Sequence, residues 1–375
     1  MSVAFPAAPV PADAGGLVSR KQAPTERSAG AFFVYMRKMR MKSNATTGRK
    51  NGIMSGAMKK LFVRLGAFAA LAALSAAVVA GCSNVCTCSS DGACACGKAV
   101  NSKAAEAIRV GSYNIRLSPG DRNTPNAWDE RKADMVGLVR KLDLDVFGLQ
   151  EVCPDQAAYI REKMPDYEFV GDHREADRKS GEASPVCFRR SRFEALKKGT
   201  FWLSETPDVP ASKSWGTACT RVCSYLVLKD RKTGRRLCFA NTHTDHVSAL
   251  AREKGMLLII ERMREFGQGA PIVFTGDHNC CYDEPPAVAV RRILKDARDV
   301  CETPLRGPRN TFQGFGRYKD GPVNRRGETK DYCIDYIYVS DGARVLDFAT
   351  HDDRRPGTDL YPSDHFPVSA TVILP

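Results

Sequence analysis

The chain has 375 residues, 43% hydrophobic and 26% charged, which are the values of a globular protein with a sizeable core. Its net charge of +13 suggests a nucleic-acid partner, but the charge is unevenly placed. Residues 1–57 carry about +7, residues 58–81 about +3 and residues 82–103 about +1, leaving about +2 for residues 104–375, so the body shows no general basic face.

Residues 1–57 are rich in Pro, Ala, Gly, Ser and basic residues and show no apolar periodicity, which predicts disorder. A second start is expected at Met58, which would make the upstream stretch a mis-assigned beginning. Lys59, Lys60 and Arg64 precede an apolar run of 16 residues from Leu65 to Ala80, the length of a signal h-region rather than of a membrane span. The run ends in Val79-Ala80-Gly81-Cys82, which resembles the bacterial lipoprotein box and implies lipidation of Cys82. The other reading is a plain N-terminal membrane anchor. Both place the body outside the cytoplasm, in the cell envelope and held to a lipid bilayer. Residues 82–103, with Cys86, Cys88, Cys94 and Cys96, read as a Cys-rich tether. Its C-x-C pairs are also of a kind that holds a soft metal. Nine of the fourteen cysteines lie in the body, and export predicts that some of them pair.

From Ile108 the pattern changes. A strand is expected over 109–115. Met135, Leu138, Val139 and Leu142 mark an amphipathic helix, and a second strand over 145–150 ends at Glu151. A helix near 155–163 precedes strands near 167–171, 185–190 and 199–203 and a turn-rich stretch over 204–220. Strands near 222–229 and 236–243 are joined by a hairpin turn over 230–235. Met256, Ile259, Ile260 and Met263 give another helix, closed near Gly267. A strand at 272–277, a helix near 286–296, a long polar loop over 303–331 and strands near 334–339, 343–349 and 366–374 complete the body. Many strands with few helices predict an α/β chain whose two sheets pack face to face, with helices outside.

Several strand ends carry carboxylate, amide or imidazole groups. They are Tyr113-Asn114, Gln150-Glu151, Asn241-Thr242-His243-Thr244-Asp245-His246, Gly276-Asp277-His278-Asn279 and Asp335-Tyr336, with Ser363-Asp364-His365 before the last strand. Strand side chains alternate faces, so Asp277 and Asn279 share one face. Pooling these ends makes one site. Taken together and in this order, the pieces resemble the endonuclease/exonuclease/phosphatase superfamily, which includes deoxyribonuclease I. The resemblance covers residues 108–375 and implies a deoxyribonuclease I-like four-layer sandwich, with residues 104–375 as a single domain. Trp128-Asp129-Glu130-Arg131-Lys132 and Thr200-Phe201-Trp202-Leu203-Ser204 resemble a bacterial secreted branch of the family.

The resemblance implies roles. Glu151 is the primary ligand of Mg²⁺ or Mn²⁺, with Asn114 beside it and Asp364 near, since a hard ion prefers oxygen. Asp277 is the base or water-orienting group, and Asn279 holds the water or a phosphoryl oxygen. His365 stabilises the phosphoryl group while Asp335 holds its ring, and His243 is a second phosphate donor. Arg131, Asp245 and His246 are expected as further substrate contacts, each with a structural reading beside it. His278 is expected to point away from Asp277 as a packed, hydrogen-bonded ring. Trp202 and Trp215 are read equally as a substrate wall or as core.

The function expected is a metal-dependent phosphodiesterase or phosphatase, a monomer acting outside the cytoplasm. The alternatives are an extracellular nuclease of the same family, which keeps nucleic acid among the substrates, and a non-catalytic surface-binding lipoprotein.

Overall fold

The computed structural model describes residues 106–318 and 332–375. The expectations for residues 1–57, 58–81 and 82–103, Cys82 included, lie outside the described residues, as does the end of the polar loop.

Two mixed sheets of six strands pack face to face. The first contains β1 (Ile108–Asn114), β2 (Val146–Gln150), β3 (Tyr167–Val170), β4 (Val186–Arg189), β11 (Arg344–Thr350) and β12 (Val368–Ile373). Their order is β11-β12-β1-β2-β4-β3. The second contains β5 (Phe193–Trp202), β6 (Val222–Asp230), β7 (Arg236–His243), β8 (Ile272–Asp277), β9 (Lys295–Asp296) and β10 (Asp335–Val339), in the order β5-β6-β7-β8-β10-β9. β1 with β2, and β7 with β8, are the parallel pairs; the others are antiparallel. Helices α1 (Trp128–Leu142) and α2 (Pro154–Lys163) cover the first sheet, and α3 (Ala249–Gly267) and α4 (Pro285–Arg291) cover the second. The expected four layers are present.

Three apolar clusters hold these layers. Val110, Val146, Phe188, Phe239, Val273 and Ile337 meet between the sheets. Met135, Val139 and Ile160 of the first two helices pack on Phe147 and Leu149. Met256, Ile259, Ile260 and Met263 pack on Phe274 and Tyr338. Each large apolar side chain removed from water contributes about 1.5–3 kcal/mol. Burying one helix stripe therefore offsets much of the cost of ordering that helix. α3 starts cleanly because the Ser248 side chain accepts from the Ala251 N–H, and it stops at Gln268 in the left-handed conformation.

Strand alternation carries the inner face from the core to the end of the sandwich. Val110, Ser112 and Asn114 share one face of β1. Phe239, Asn241 and His243 do so on β7, and Val273, Thr275 and Asp277 on β8. The apolar member of each series sits in the central core, and the polar member ends the strand. Midway, Asn241 ties the sheets together. Its Oδ1 accepts from Gln150 Nε2 at 2.7 Å, and its Nδ2 donates to the carbonyls of Leu149 and Pro185. Gly148 is needed there, because a Cβ would fall 2.1 Å from Asn241 Oδ1. Gln150 and Asn241, both read from sequence as parts of the pooled site, thus act as inter-sheet bolts.

Two elements differ from expectation. The helix expected near 286–296 ends at Arg291, and Lys295–Asp296 pairs as an edge strand with Tyr338 and Val339. β5 begins at Phe193 rather than near 199, with a bulge between Ala195 and Lys197. Its exposed lysines hid the apolar alternation, and pairing with the long β6 imposes the strand. Cys153, Cys187, Cys219, Cys223, Cys238, Cys280, Cys301 and Cys333 are free thiols, so the pairing expected of body cysteines is not found among these. Burial in the core explains most of them.

Candidate active site

Strand register assembles the centre of the site. His243 on β7 lies opposite Asp277 on β8, and Asp335 on β10 lies opposite Asp277 from the other side. Three neighbouring strands therefore deliver imidazole, carboxylate and carboxylate in one row. The first sheet supplies Asn114 at the end of β1, Glu151 just after β2, and the Ser363–His365 segment before β12. Alternation alone would turn Glu151 outward. Its left-handed backbone, φ +62°, breaks the alternation. Its carboxylate then accepts from Asn114 Nδ2 at 3.2 Å and from the Leu117 N–H at 2.9 Å.

Asp277 is the hub. Its Oδ2 accepts from Asn114 Nδ2 at 3.0 Å, and its Oδ1 from the Asn279 N–H at 3.0 Å. The same Oδ2 lies 3.5 Å from His243 Nε2 and 3.6 Å from His365 Nε2. Burial and the nearby Asp335 push the Asp277 carboxyl up to about 7. Burial alone would lower His365, but Asp335 and Asp277 overcome it and raise the ring to about 10. Asp335 Oδ2 lies 2.8 Å from His365 Nδ1, a charge-assisted hydrogen bond that fixes the ring.

His243 differs from His365. Burial and Arg221 hold its pKa well below the ordinary histidine range. Asn279 Nδ2 donates to its Nε2 at 2.9 Å, which leaves the ring proton on Nδ1, 3.9 Å from Glu182 Oε2. Donation from Nε2 to a phosphoryl oxygen therefore requires a second proton.

The carboxylates of Glu151 and Asp364 suit a hard divalent cation. Burial raises Glu151, but Arg116, the Leu117 N–H and His365 outweigh it and hold the group below its ordinary value. Burial raises Asp364 against the pull of Arg116, whose Nε is 3.8 Å away. Asn114 meets the carboxylates through its nitrogen, because its oxygen accepts from the Arg116 N–H at 3.0 Å. It therefore joins Glu151 to Asp277 through its nitrogen, and one lone pair of its oxygen is taken by Arg116. Asp277, Asp335 and His365 also bring three ligating atoms within 4.8 Å of one another. In this trio the Nδ1 of His365 is engaged by Asp335 at 2.8 Å, so only its Nε2 faces Asp277.

Of the three further contacts expected, Arg131 is corrected. It is fully buried. Its guanidinium donates four of its five N–H groups to the carbonyls of Asn126, Ile115, Pro362 and Arg116, so it is spent on holding the backbone rather than turned to a phosphate. Asp245 anchors a loop, accepting from Thr217 Oγ1 and the N–H groups of Ala218, Val247 and Ser248. His246 meets Arg221 Nη2 at 3.3 Å. Neither contacts Asp277. Trp202 is core, its Nε1 donating to the Arg174 carbonyl at 2.7 Å. Trp215 is half-buried, with its carbonyl held by Ser248 Oγ. His278 packs away from Asp277 as expected, stacked on Tyr336 and Tyr338, with burial pushing its pKa down to about 3. Neither of its ring nitrogens has a hydrogen-bond partner, unlike the hydrogen-bonded ring expected, because stacking on the two tyrosines fills its surroundings.

Two residues at the site were not expected. Arg116 follows Asn114 by two and turns inward through a left-handed backbone, φ +57°. Its position after a polar strand end was the available signal. Glu182 pairs with Arg174 at 2.9 Å and lies 3.8 Å from Arg221. It comes from a loop without periodicity, and nothing local marks it.

A two-sheet sandwich with paired imidazoles around a buried carboxylate defines a phosphoester-hydrolase type of site. The Endonuclease/Exonuclease/phosphatase family model matches residues 111–365, and the chain belongs to that family. A mannosyl-6-phosphatase of Bacteroides thetaiotaomicron is 32% identical, with a TM-score of 0.64, over 71% of this chain and 100% of that one. An uncharacterized protein of Acanthamoeba polyphaga mimivirus is 24% identical over 271 residues, 62% of this chain. Human tyrosyl-DNA phosphodiesterase 2 is 22% identical over 156 residues, 41% of this chain. The chain spans 39% and 38% of the lengths of these last two relatives.

Proposed function

We propose that the protein is a divalent-cation-dependent phosphoester hydrolase. The observation that carries this reading is the shared approach of His243 and His365 to one oxygen of Asp277, at 3.5 and 3.6 Å. Asp277, with its pKa near 7, takes a proton from the attacking water. Water forms the new bond to phosphorus as the bond to the leaving oxygen breaks. His365, protonated and held by Asp335, gives a proton to that oxygen or to the phosphoryl group. Asn279 orients the water, its own amide steadied by His243 and the Thr244 carbonyl. Glu151 and Asp364 would hold Mg²⁺ or Mn²⁺, which supplies positive charge against the phosphoryl oxygens. Proton transfers of this kind contribute about 10² to 10⁴ in rate each.

The first substrate class to test is a sugar phosphomonoester, supported by the match to the mannosyl-6-phosphatase over 71% of this chain and 100% of that one. Phosphodiesters and nucleic acid follow. The same reading makes the protein a monomer outside the cytoplasm, lipid-anchored at Cys82. The support for that location is the signal-like sequence over 58–81, which ends just before Cys82.

The test is phosphate release from mannose 6-phosphate, simple phosphodiesters, phospholipids and DNA, with Mg²⁺ or Mn²⁺ and with chelator. Metal-dependent turnover that disappears in Asp277→Asn is expected. Turnover on none of these, or full turnover in the variant, sinks the reading. Mass analysis of the mature N-terminus tests the lipid on Cys82.

A further inference from the structure

The loop after β5 and the turn between β7 and α3 bring Cys219, Asp245 and His246 together. One ligating atom from each lies within 4.8 Å of the other two. The hydrolysis described above uses none of them. We propose that these three form a second metal site, for a divalent ion that accepts sulfur and nitrogen, Zn²⁺ foremost. Thiolate, imidazole and carboxylate are the ligand types of tetrahedral zinc. Mg²⁺ and Mn²⁺ prefer the oxygen-rich pair at Glu151 and Asp364. The two sites therefore select different ions by ligand chemistry alone.

The ligand atoms, within 4.8 Å of one another, have at most about 1.5 Å to close. Bond lengths of about 2.0–2.3 Å put the ligand atoms of a tetrahedral ion roughly 3.3–3.8 Å apart. Asp245 is already fixed. Its Oδ1 accepts from Thr217 Oγ1 and the Ala218 N–H, and its Oδ2 from the N–H groups of Val247 and Ser248. Such outer hydrogen bonds orient a ligating carboxylate, and turning the single Thr217 hydroxyl proton to the Cys219 carbonyl, 2.8 Å away, frees a lone pair on Oδ1 for the ion. Cys219 is partly exposed, so an ion can reach it.

Two guanidiniums stand close by. Arg174 Nη1 is 3.9 Å from Cys219 Sγ, and Arg221 Nη2 is 3.3 Å from His246 Nδ1. Their charge would repel a cation, but Glu182 lies against both, 2.9 Å from Arg174 and 3.8 Å from Arg221. On binding, Cys219 releases its thiol proton. The thiolate and the Asp245 carboxylate then balance the two charges of the ion.

Loading has a consequence for the hollow. A guanidinium only donates, so His246 Nδ1 accepts from Arg221. An ion on Nδ1 takes that lone pair. An ion on Nε2 moves the ring proton to Nδ1, where it faces another donor. Either way Arg221 loses His246. Arg221 also borders Glu182, which stands 3.9 Å from His243 Nδ1. The site thus connects to the catalytic imidazole through two side chains.

The experiment is a Co²⁺ titration of the metal-free full chain, read by the absorption of thiolate bound to cobalt and by equivalents bound. Other thiols in the chain contribute to the signal, so the readout is the difference between proteins. Cys219→Ser and His246→Gln should each lose the same single equivalent. Glu151→Gln should keep it, and Zn²⁺ should displace it. Circular dichroism identifies any variant that fails to fold, and the remaining variant then decides. The proposal is overturned if the folded Cys219→Ser or His246→Gln protein keeps the equivalent. Loss in Cys219→Ser alone would describe a lone thiol, and loss in Glu151→Gln would assign the ion to the hollow; both overturn it too.

Discussion

Asp335 holds Nδ1 of His365 at 2.8 Å, and this bond fixes the direction of the ring and, together with Asp277, favours its charged form. The carboxylate is the first residue of β10, locked by register opposite Asp277. The histidine arrives on a loop from the other sheet. Replacing Asp335 with Asn keeps the shape but removes the charge that helps raise the ring's pKa. Turnover should fall by about 10² or more. The alkaline limb of the rate profile should move toward neutral pH. Steady-state kinetics across pH would measure both, and an unmoved alkaline limb would reject the assigned role.

The pH profile follows from two groups. Asp277, raised to about 7, must lose its proton to act as base. His365, raised to about 10, must keep its proton to donate. The value of kcat/KM should therefore climb through neutral pH, hold, and fall near pH 10. Added divalent cation favours the ionised carboxylate and should shift the acid limb to lower pH. A profile that declines from pH 6 upward contradicts the assignment.

Glu151 is predicted to govern metal affinity. Glu151→Gln keeps the size of the side chain and removes one negative charge from the oxygen ligands. The Mg²⁺ concentration for half-maximal rate should rise by at least about tenfold, the scale on which altered metal-site partners act. Titration of activity with Mg²⁺ checks this. An unchanged midpoint would move the ion elsewhere.

Arg131 is predicted to matter for stability and not for chemistry. Arg131→Met leaves the carbonyls of Ile115, Asn126 and Pro362 without their side-chain donor, while the Arg116 carbonyl keeps Gln156 Nε2. Buried acceptors left unpaired cost about 1–3 kcal/mol each, partly recovered by relaxation, so a net loss of about 3 kcal/mol and a Tm lower by about 10 °C are expected. The kcat/KM of the folded protein should change little. A large kinetic loss with an unchanged Tm would restore Arg131 as a substrate contact.

The sequence by itself determined the layers and most of the centre of the site. Period-two alternation in β7, β8 and β10 places His243, Asp277 and Asp335 on inward faces, and the apolar stripe of α3 marks its buried side. Residues whose direction follows from strand phase could be read one strand at a time. Tertiary structure decided the rest, because it depends on atoms that meet only after folding. Glu151 faces the hollow through a left-handed backbone that alternation does not predict. Gln150 and Asn241 became bolts between sheets because two strands far apart in the chain approach at Gly148. Arg131 was claimed by carbonyls from three segments, and Glu182 came from a loop with no local signature. Local pattern fixes which face a side chain takes, whereas the partner it finds there is set by the packing of distant segments.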